Sequence, residues 1–510
     1  MAAEGRKKHA VRLNRSCILI IVVASVERFA YKGVASNMVT YLTDVVHLGT
    51  SEAAKTVNNW CGVTSMLPLL GAFLADSYWD RHSTILGSSF LYVTGLAALT
   101  AWAVLHSHMP SSSLFFPLYL ISIGQGGYNP SLQAFGADQL EKEKSPPEEE
   151  EKSLFFQWWY FGICSGSLLG NSLMSYVQDT YGWELGFAIP AAVMLLSVAV
   201  FAAGARFCVR RDVADGSSRP IDDIFRGLKQ ALTKKLATRE VKLPAREDDD
   251  VELEWAASSP TPEKKAGAGE HPTPWAGEVI LRLLPIWAML LMFAVIFQLP
   301  STFFTRQGSA MERNIGPRFL IPPATLQSSI TVSIILLMPL YDKLIIPCFR
   351  FLTRREEGIN VMERIGVGML LSILAMTVAA LVEGRRIRAA AASDRLCIFW
   401  LLPQYVLLGI SDVFTVVGMQ EFFYASVPSG MRTIGIGLYL SVFGVGSFLS
   451  SALIWAIEEV TSAGGTTPGW FSDDIKDAHL DRFYWFLSLL STASFLLFVI
   501  LCKTRRDTTT

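Results

Sequence analysis

The sequence is poor in charge and lacks the common signatures of enzyme chemistry. Only 17% of its 510 residues are charged, whereas an average soluble domain has about 25%. It contains no nucleophile elbow, no phosphate-binding glycine loop and no metal-ligand spacing. The formal net charge of −1 provides no broad positive field for nucleic acid. These absences argue against an enzyme and against a nucleic-acid partner, and we expect no cofactor and no metal.

Cysteine and histidine are also sparse where function would need them. The seven cysteines are scattered, mostly in or beside apolar runs, with no spacing typical of a metal site or a disulfide framework. None of the seven histidines falls in the interior of an apolar run. The basic stretch 1–16 precedes an apolar run that ends without a small-residue cleavage site, so we expect a cytosolic tail and not a signal peptide.

Apolar runs of membrane-spanning length are abundant instead. The chain is 51% hydrophobic, with a mean hydropathy of +0.36. Apolar runs of about 20 residues recur along it and predict an all-α membrane protein with twelve transmembrane helices, so the lipid bilayer is an expected partner. The predicted spans are 17–36, 58–76, 84–105, 115–136, 155–177, 184–206, 276–299, 326–348, 362–383, 397–424, 433–457 and 481–502.

A long polar segment divides these spans into two sets of six. The predicted order is a six-helix bundle (17–206), a linker (207–275), a second six-helix bundle (276–502) and a short tail (503–510). The linker is expected to form an amphipathic helix followed by a disordered, charged stretch. We interpret it and the acidic run 141–152 as solvated linkers, with docking motifs as the alternative. Two such halves are typical of transporters built from repeats.

The distribution of basic residues predicts which side holds the termini. An even number of spans places both termini on one side, and the lysines and arginines that flank them favour the cytosol. One predicted loop, between spans nine and ten, disagrees because it would carry several arginines on the outer side. These are Arg385, Arg386, Arg388 and Arg395.

A short polar loop between spans two and three is the first functional candidate. It contains Gly71, Asp76 and Arg81, which we place in a tight cytosolic turn that acts as a gating loop. This stretch resembles the signature loop of the major facilitator superfamily, in which the acid and the base latch neighbouring helices. Asp342 and Lys343 occupy the matching place in the second half. The alternative is an ordinary basic loop, which the recurrence in both halves makes less attractive.

The first span carries two adjacent opposite charges, Glu27 and Arg28, near its middle. A charge at the centre of a bilayer costs about 2.5–3.5 kcal/mol on insertion scales, so both must face a protein interior or a wet cavity. One interpretation is a buried ion pair that fixes helix packing. The other is that both residues line a solute pathway and act as a gate or as the solute-binding pair. Tyr31, one turn further along the same face, would then line the pathway as well.

Few other polar groups are predicted near mid-membrane. Asn129 lies in span four, Gln298 near the end of span seven and Asp412 within span ten. An unpaired carboxylate at the position of Asp412 is expected to take up a proton, which is how a transporter couples a solute to protons. The alternative is an acid held neutral by a hydrogen bond between helices. Glu421 lies near the cytosolic end, and we interpret it as structural.

Glycines recur at spacings that favour close helix packing. Gly162, Gly166 and Gly170 recur every four residues in span five, and several more crowd span eleven. Small residues at this spacing allow helix backbones to approach closely. They predict a compact bundle and carry no information on the solute.

Several segments together resemble the plant nitrate/peptide transporter family, a branch of the proton-coupled oligopeptide transporters of the major facilitator superfamily. That resemblance covers nearly every span. It implies the major facilitator superfamily fold, alternating access between two six-helix halves and a small solute such as nitrate, a short peptide, a hormone or another plant metabolite. The segments are ERFAYKGVASNMVTYLT, NNWCGVTSMLPLLGAFLADSYWD, LQAFGADQL, FFQWWYF, LRLLPIWAM, IPPATL and QEFFYASVP.

The departures from the family pattern concern charge. Ala24 stands where the family has the first glutamate of its first span, and Asn129 stands where its fourth span usually has a lysine. Ile296 occupies the position of the histidine found in some nitrate-selective members, whereas Asp412 keeps the carboxylate of span ten. One departure removes a negative charge and the other removes a positive charge. Losing only one of them would leave the other charge unpaired in low dielectric, at a cost of several kcal/mol, so the two losses are complementary.

We therefore predict a carrier for a small polar or anionic solute in which ordinary proton symport is open to question. Either Asp412 alone supports a weaker coupling, or the protein is a uniporter or an exporter; Glu27 and Asp412 are the two coupling candidates. A non-transporting solute sensor and a channel are the other classes considered. The expected location is the plasma membrane or a vacuolar or other internal membrane. The predicted solute-binding residues are Glu27, Arg28, Tyr31, Asn129, Gln298 and Asp412.

Overall fold

The computed structural model of this chain is almost entirely helical. Long apolar helices are the expected outcome in lipid, because each helix satisfies its own backbone hydrogen bonds. The predicted linker helix, most of the acidic run, and Asp342 and Lys343 lie outside the described residues. The structure describes residues 14–77, 81–141, 149–204, 208, 276–316, 319–340, 360–392, 394–427, 432–462, 469–472 and 478–507.

The first half of the chain contains eight α-helices among the described residues. Short 3₁₀ helices, His106–His108 and Ser111–Leu114, connect two of them. A π-helical turn, Gly170–Met174, joins two others into one long helical segment. The helices are α1 (Arg15–Ala35), α2 (Met38–Asp44), α3 (Thr50–Ser77), α4 (Arg81–Leu105), α5 (Phe115–Glu141), α6 (Glu149–Leu169), α7 (Ser175–Tyr181) and α8 (Trp183–Gly204).

The second half repeats this plan with seven further helices among the described residues. Its 3₁₀ helices are Leu299–Ser301, Pro323–Gln327 and Ile398–Leu401. A two-stranded antiparallel hairpin pairs β1 (Asn314–Ile315) with β2 (Phe319–Leu320). The helices are α9 (Ala276–Phe297), α10 (Phe303–Ser309), α11 (Ser328–Leu340), α12 (Val361–Ala391), α13 (Leu402–Ala425), α14 (Arg432–Ser462) and α15 (Leu480–Asp507).

Each predicted span falls on a helical segment, and the span predicted at 326–348 is described as far as residue 340, where α11 (Ser328–Leu340) lies. Seven described helices are long and apolar enough to cross a membrane by themselves. Crossing by the other five stays a prediction. Large apolar side chains on these helices face outward, as Phe90 at 71% exposure and Leu489 at 69% show. A lipid environment explains such a surface, because soluble monomers rarely expose contiguous apolar faces of this extent.

Two separate apolar cores lie in the two halves of the chain. The first is built from residues between Cys17 and Cys208. The second half contains two clusters of its own, around Phe304 and Phe293. A small cluster of Cys164, Ile334 and Val413 bridges the halves. Each half therefore has apolar packing of its own. Apolar contacts also cross between the halves, since Ala54 of α3 belongs to the cluster around Phe304 and an added Cβ at Gly444 of α14 would contact Met66 of α3.

The glycine stripe of α6 packs against α1, so the close helix approach predicted from its spacing is confirmed. An added Cβ at Gly162 would contact the Ser25 side chain, and one at Gly166 would contact the Ser25 backbone. At Gly170 the added atom would lie 2.7 Å from the carbonyl oxygen of Phe29 and 3.0 Å from Cβ of Lys32. The stripe therefore fixes the distance between α6 and the segment of α1 that carries its charged residues.

The arginine-rich loop expected between spans nine and ten is mostly helix. Helix α12 continues to Ala391, eight residues beyond the predicted span end, so only Arg395 of the four arginines lies outside it. Arg386 is buried and forms a bidentate pair with Glu383, at 2.7 and 2.9 Å. The Arg385 guanidinium carbon lies 4.6 Å from the ring centroid of Trp400. These arginines bind within the protein, which explains why they depart from a rule based on loop charges.

Candidate functional site

Helix α1 presents different environments to its neighbouring charges. The side chain of Glu27 is 2% exposed, whereas that of Arg28 is 25% exposed. Because successive helical residues are separated by 100°, two neighbours face different surroundings. Tyr31 and Lys32 follow Arg28 by three and four residues, share its face and are also partly exposed. The partly exposed polar side chains of this stretch of α1 are therefore Arg28, Tyr31 and Lys32, whereas Glu27 is buried beside them.

Glu27 lies in the packed interior of the first half. Gln125 Nε2 on α5 donates a hydrogen bond of 3.0 Å to its Oε1, and the Tyr92 hydroxyl on α4 approaches the same atom at 3.5 Å. The other carboxylate oxygen lies 3.8 Å from Nε of Arg28. These three contacts come from three helices, so the carboxylate is held in one position by the fold.

Arg28 is placed by its neighbours on α1 and α3. Its Nε atom is buried and has no hydrogen-bond partner among the described residues. Its guanidinium carbon lies 5.8 Å from the ring centroid of Tyr31. That ring is in turn 5.8 Å from the ring of Trp60 on α3. The guanidinium is thus oriented by a carboxylate and an aromatic ring while part of its surface remains open to solvent.

Asp412 faces the polar side of α1 from the second half of the chain. It lies within α13, is partly exposed, and its Oδ1 is buried without a hydrogen-bond partner among the described residues. Lys32 acts electrostatically on it. Tyr160 and Cys164 of α6 and Tyr439 of α14 also lie within electrostatic range of its carboxylate. Partly exposed polar groups from both halves therefore converge here.

We call this region the central cleft and define it by Arg28, Tyr31, Lys32, Asp412 and Tyr439. Sequence reasoning found three of these residues and missed Lys32 and Tyr439. A lysine inside a membrane helix, one turn after an arginine, is itself a signal of a polar face that the sequence offered. Tyr439 had no such signal, because a tyrosine in an apolar helix is common in packed cores.

The other two predicted solute-binding residues lie in different surroundings. Asn129 is partly exposed on α5, one turn after Gln125, and the structure shows no hydrogen bond from it to a described residue. Gln298 is 8% exposed, and its Nε2 donates a hydrogen bond of 2.6 Å to the hydroxyl of Ser447. In the described contacts Gln298 touches none of the other predicted solute-binding residues.

The predicted gating loop is shorter than the sequence suggested. Helix α3 continues to Ser77, so Gly71 and Asp76 are helical, and Arg81 begins α4. Gly71 lies against the backbone of α5, where an added Cβ would be 3.0 Å from Cα of Gly127. Gly71 therefore allows α3 and α5 to touch. A gating role for Asp76 and Arg81 stays a prediction.

Polar contacts between the two halves cluster at one end of the molecule. We call the end where α1 begins the near side and the end where it finishes the far side. The ion pairs between the halves that join described residues lie in the far-side half of the helices. The ion pairs are Lys55 with Glu458 at 2.7 Å, Arg306 with Asp44 at 3.0 Å, and Arg313 with Asp179 at 3.6 Å.

Neutral side chains add to the ion pairs on the far side. Asn58 of α3 donates a hydrogen bond of 3.0 Å to Ser450 of α14. Gln327 donates a bond of 2.7 Å to the backbone oxygen of Ser36, just beyond the end of α1. The halves are thus joined by several independent polar contacts beyond the central cleft.

Known proteins match this chain over most of its length. The PTR2 model, described as the POT family, matches residues 82–471. The chain belongs to the POT family. The Arabidopsis thaliana protein NRT1/PTR family 5.9 is 49% identical, over 96% of this chain and 95% of the relative. NRT1/PTR family 5.10 from the same plant is 41% identical, over 96% and 93%. The family resemblance predicted from the motifs is confirmed.

Solved structures confirm the fold of this POT family chain. An auto-inhibited POT family peptide transporter superimposes with a TM-score of 0.73 at 20% identity, covering 96% of this chain and 97% of that one. A POT family transporter in complex with 5-aminolevulinic acid gives a TM-score of 0.69 at 14% identity, covering 99% and 98%. The predicted fold class, an all-α membrane protein with the major facilitator superfamily fold, is confirmed.

The two positions at which the family resemblance implies a lost charge, Ala24 and Asn129, lie at one depth of the first half of this POT family chain. Ala24 precedes Glu27 by one turn of α1 toward the near side. Asn129 follows Gln125 by one turn of α5, and α5 runs toward the near side. Gln125 contacts Glu27, so these two residues lie at the same depth. Helical spacing then places Ala24 and Asn129 together at a second depth, one turn closer to the near side than Glu27 and Gln125. The geometry therefore agrees with a matched loss of two charges.

Proposed function

We propose that this chain is a secondary transporter that moves a small polar or anionic solute by alternating access, with the central cleft as the solute site. The observation that carries the proposal is the convergence of Arg28 and Asp412 from opposite halves. Both lie inside long helices, both are partly exposed, and each has a buried polar atom without a hydrogen-bond partner among the described residues. Polar residues that are costly in a membrane and unsatisfied by the fold are typical of a solute pathway.

Arg28 is the proposed anchor for an anionic group. A guanidinium binds a carboxylate or nitrate through two parallel hydrogen bonds, and its charge strengthens them. The ring of Tyr31 lies beside the guanidinium, 5.8 Å from its carbon to the ring centroid, and would help to orient it. Asn129 would contribute an amide to the near-side part of the cleft, and Gln298 would contribute one from the second half of the chain. A solved POT family transporter holds 5-aminolevulinic acid, a solute of the proposed size class.

Glu27 is proposed to position Arg28 and not to touch the solute. Its carboxylate is bound by Gln125 and Tyr92 and is 2% exposed. It keeps a negative charge beside Nε of Arg28, which offsets the cost of holding the guanidinium within the protein. This assignment makes Asp412 the stronger of the two candidates for proton coupling, because part of its carboxyl group remains accessible to water.

The far-side contacts support alternating access. Ion pairs between the halves close the far side, and we infer that the cleft of this conformation opens toward the near side, which we propose to be the cytosol. Exposed ion pairs contribute only about 0–1 kcal/mol each, so breaking them is compatible with a reversible transition. Rocking of one half against the other around a central site is the expected motion of a transporter built from two repeats.

A direct test is a flux measurement with purified protein in liposomes at two pH values and in both directions. The probes are nitrate, dipeptides, hormones and amino-acid-derived chelators. A carrier gives saturable uptake that is accelerated by unlabelled solute preloaded on the other side. A sensor binds a probe without accumulation, and a channel shows flux without counter-transport. Binding without flux, or flux without saturation, would overturn the proposal.

The effect of pH in the same assay separates the coupling mechanisms. Uptake that rises with a pH gradient supports symport through Asp412. Flux that is independent of the gradient supports a uniporter. Faster flux from the cytosolic face of the protein to the opposite face supports an exporter. Protease access to the tails establishes which face points out of the liposome.

A further inference from the structure

Lys32 is a charged residue within the central cleft that the proposed function leaves without a role. It lies on α1, one turn after Arg28, and its Cβ faces Gly170 of the π-helical turn. Its side chain is partly exposed, and its ammonium makes no hydrogen bond or ion pair with a described residue. A lysine at this depth of a membrane helix is costly to insert, so packing alone gives no reason for its presence.

The charges around the cleft are paired except for two. Glu27 and Arg28 lie side by side, and Gln125 and Tyr92 bind the carboxylate further. Lys32 and Asp412 remain, with opposite charges and on opposite halves of the molecule. They act on each other electrostatically, but no atoms of the two form an ion pair within 4.0 Å.

The other groups around Asp412 do not replace this missing contact. Tyr160, Cys164 and Tyr439 surround its carboxylate and are neutral in their ordinary protonation states. Arg28 acts on Lys32 from the same helix face and repels it. Cys61 of α3 also acts on Lys32, but its thiol is neutral in its ordinary protonation state. Asp412 is therefore the carboxylate that acts on Lys32 among the described residues, and it belongs to the half that moves relative to α1 during alternating access.

We propose that Lys32 is an anion-binding residue of the solute site and that Asp412 and the solute anion compete for its ammonium group. This inference rests on the proposed function. Without solute, approach of the two halves brings Asp412 onto Lys32. With solute, a planar oxyanion such as a carboxylate or nitrate binds between Arg28 and Lys32, whose Cβ atoms are about 5–6 Å apart at this helical spacing.

Competition of this kind links binding to the return of the unloaded carrier. The Lys32–Asp412 pair allows the halves to close without burying two unpaired charges, which is unfavourable in low dielectric. A bound solute anion neutralises Lys32 in place of Asp412. A carrier that closes only when Lys32 is neutralised in one of these two ways does not leak its gradient.

The first test measures binding with the purified full chain in detergent, by thermal shift with nitrate, acetate and succinate as probes. At least one probe is expected to stabilise the wild type. Lys32→Met is expected to weaken that probe about tenfold or more, whereas Lys32→Arg retains most of the affinity because it keeps the charge. Asp412→Asn is expected to bind the probe several-fold more tightly, since the competitor is gone. Lys503→Met, which removes an exposed lysine far from the cleft, serves as the matched control.

The second test separates loaded from unloaded steps in proteoliposomes. Asp412→Asn is expected to slow net uptake about tenfold, because the unloaded carrier returns with an unpaired lysine. Exchange between labelled and preloaded solute avoids the unloaded return, so Asp412→Asn is expected to slow exchange less than it slows net uptake. A structural role of Asp412 would reduce both fluxes equally.

The outcomes separate this inference from the proposed function. Lys32-dependent binding without flux would refute transport and leave the anion site standing. Flux with Lys32→Met at wild-type affinity would leave transport standing and refute the role of Lys32. An Asp412→Asn variant whose affinity does not rise would refute the competition, and a wild type that none of the three anions stabilises would refute the anion site.

Discussion

At the scale of single residues, the adjacent charged residues Glu27 and Arg28 lie in different environments. Glu27 is held by Gln125 and Tyr92 in the interior of the first half, and Arg28 remains partly open to the cleft. The sequence predicted that both lie away from lipid. It did not predict which of the two is buried, because that depends on contacts with α4 and α5, which are distant along the chain.

Glu27→Gln tests the positioning role of this carboxylate. The amide keeps the shape and a hydrogen-bonding oxygen but removes the negative charge beside Arg28. We expect KM for solute to rise several-fold, with a drop in stability of about 1–3 kcal/mol from the weakened buried contacts. Uptake kinetics and thermal unfolding of the purified variant measure the two effects. An unchanged KM would show that Glu27 does not orient Arg28.

Asp412→Asn tests proton coupling. If transport requires a protonated Asp412, uptake by the wild type rises as pH falls through the titration of this carboxyl group. The asparagine side chain does not titrate in that range, so the pH dependence of exchange is expected to become flat. Exchange measured across a pH series checks this. A variant with the same pH profile as the wild type would exclude Asp412 as the coupling acid.

At the scale of helices, glycine spacing was the most informative sequence signal. The pattern at Gly162, Gly166 and Gly170 predicted close packing, and the structure shows that the partner is α1. Spacing alone identifies a helix face of small residues but not which helix packs against it. The extended ends of α3 and α12 were missed for a related reason, since polar residues end a hydropathy window without ending a helix.

Gly170→Ala tests whether the α1–α6 contact positions the cleft. The added methyl would lie 2.7 Å from the carbonyl oxygen of Phe29, so α1 must shift. We expect a loss of stability of about 1–3 kcal/mol and weaker solute binding. Gly87→Ala is the matched control, since its added methyl meets nothing within 4 Å. Equal melting temperatures for both variants would show that the contact is not tight.

At the scale of the whole molecule, each half has apolar clusters of its own, and both apolar packing and polar contacts on the far side join the halves. The division into halves followed from the long polar segment at mid-chain. The far-side ion pairs did not, because each joins residues hundreds of positions apart, such as Lys55 and Glu458. The conformation of a carrier is a balance between such contacts, which no local pattern encodes.

Crosslinking the far side tests alternating access. Cysteines placed at Lys55 and Glu458, whose side chains meet at 2.7 Å, are expected to hold the far side closed once joined by a short bifunctional thiol reagent. Transport should fall to background, while solute binding from the near side persists. The single cysteine variants treated with the same reagent are the controls. Full transport by the crosslinked protein would contradict a far-side opening step.

The most direct measurement of the central claim is solute exchange by Arg28→Ala in proteoliposomes, compared with Arg364→Ala. Arg364 pairs with Glu421 at 3.0 Å on α12 and α13, away from the cleft, and is the matched arginine control. With equal amounts of folded protein in the membrane, we expect exchange by Arg28→Ala to fall to background while Arg364→Ala exchanges at close to the wild-type rate. Wild-type exchange by Arg28→Ala would contradict a solute site in the central cleft.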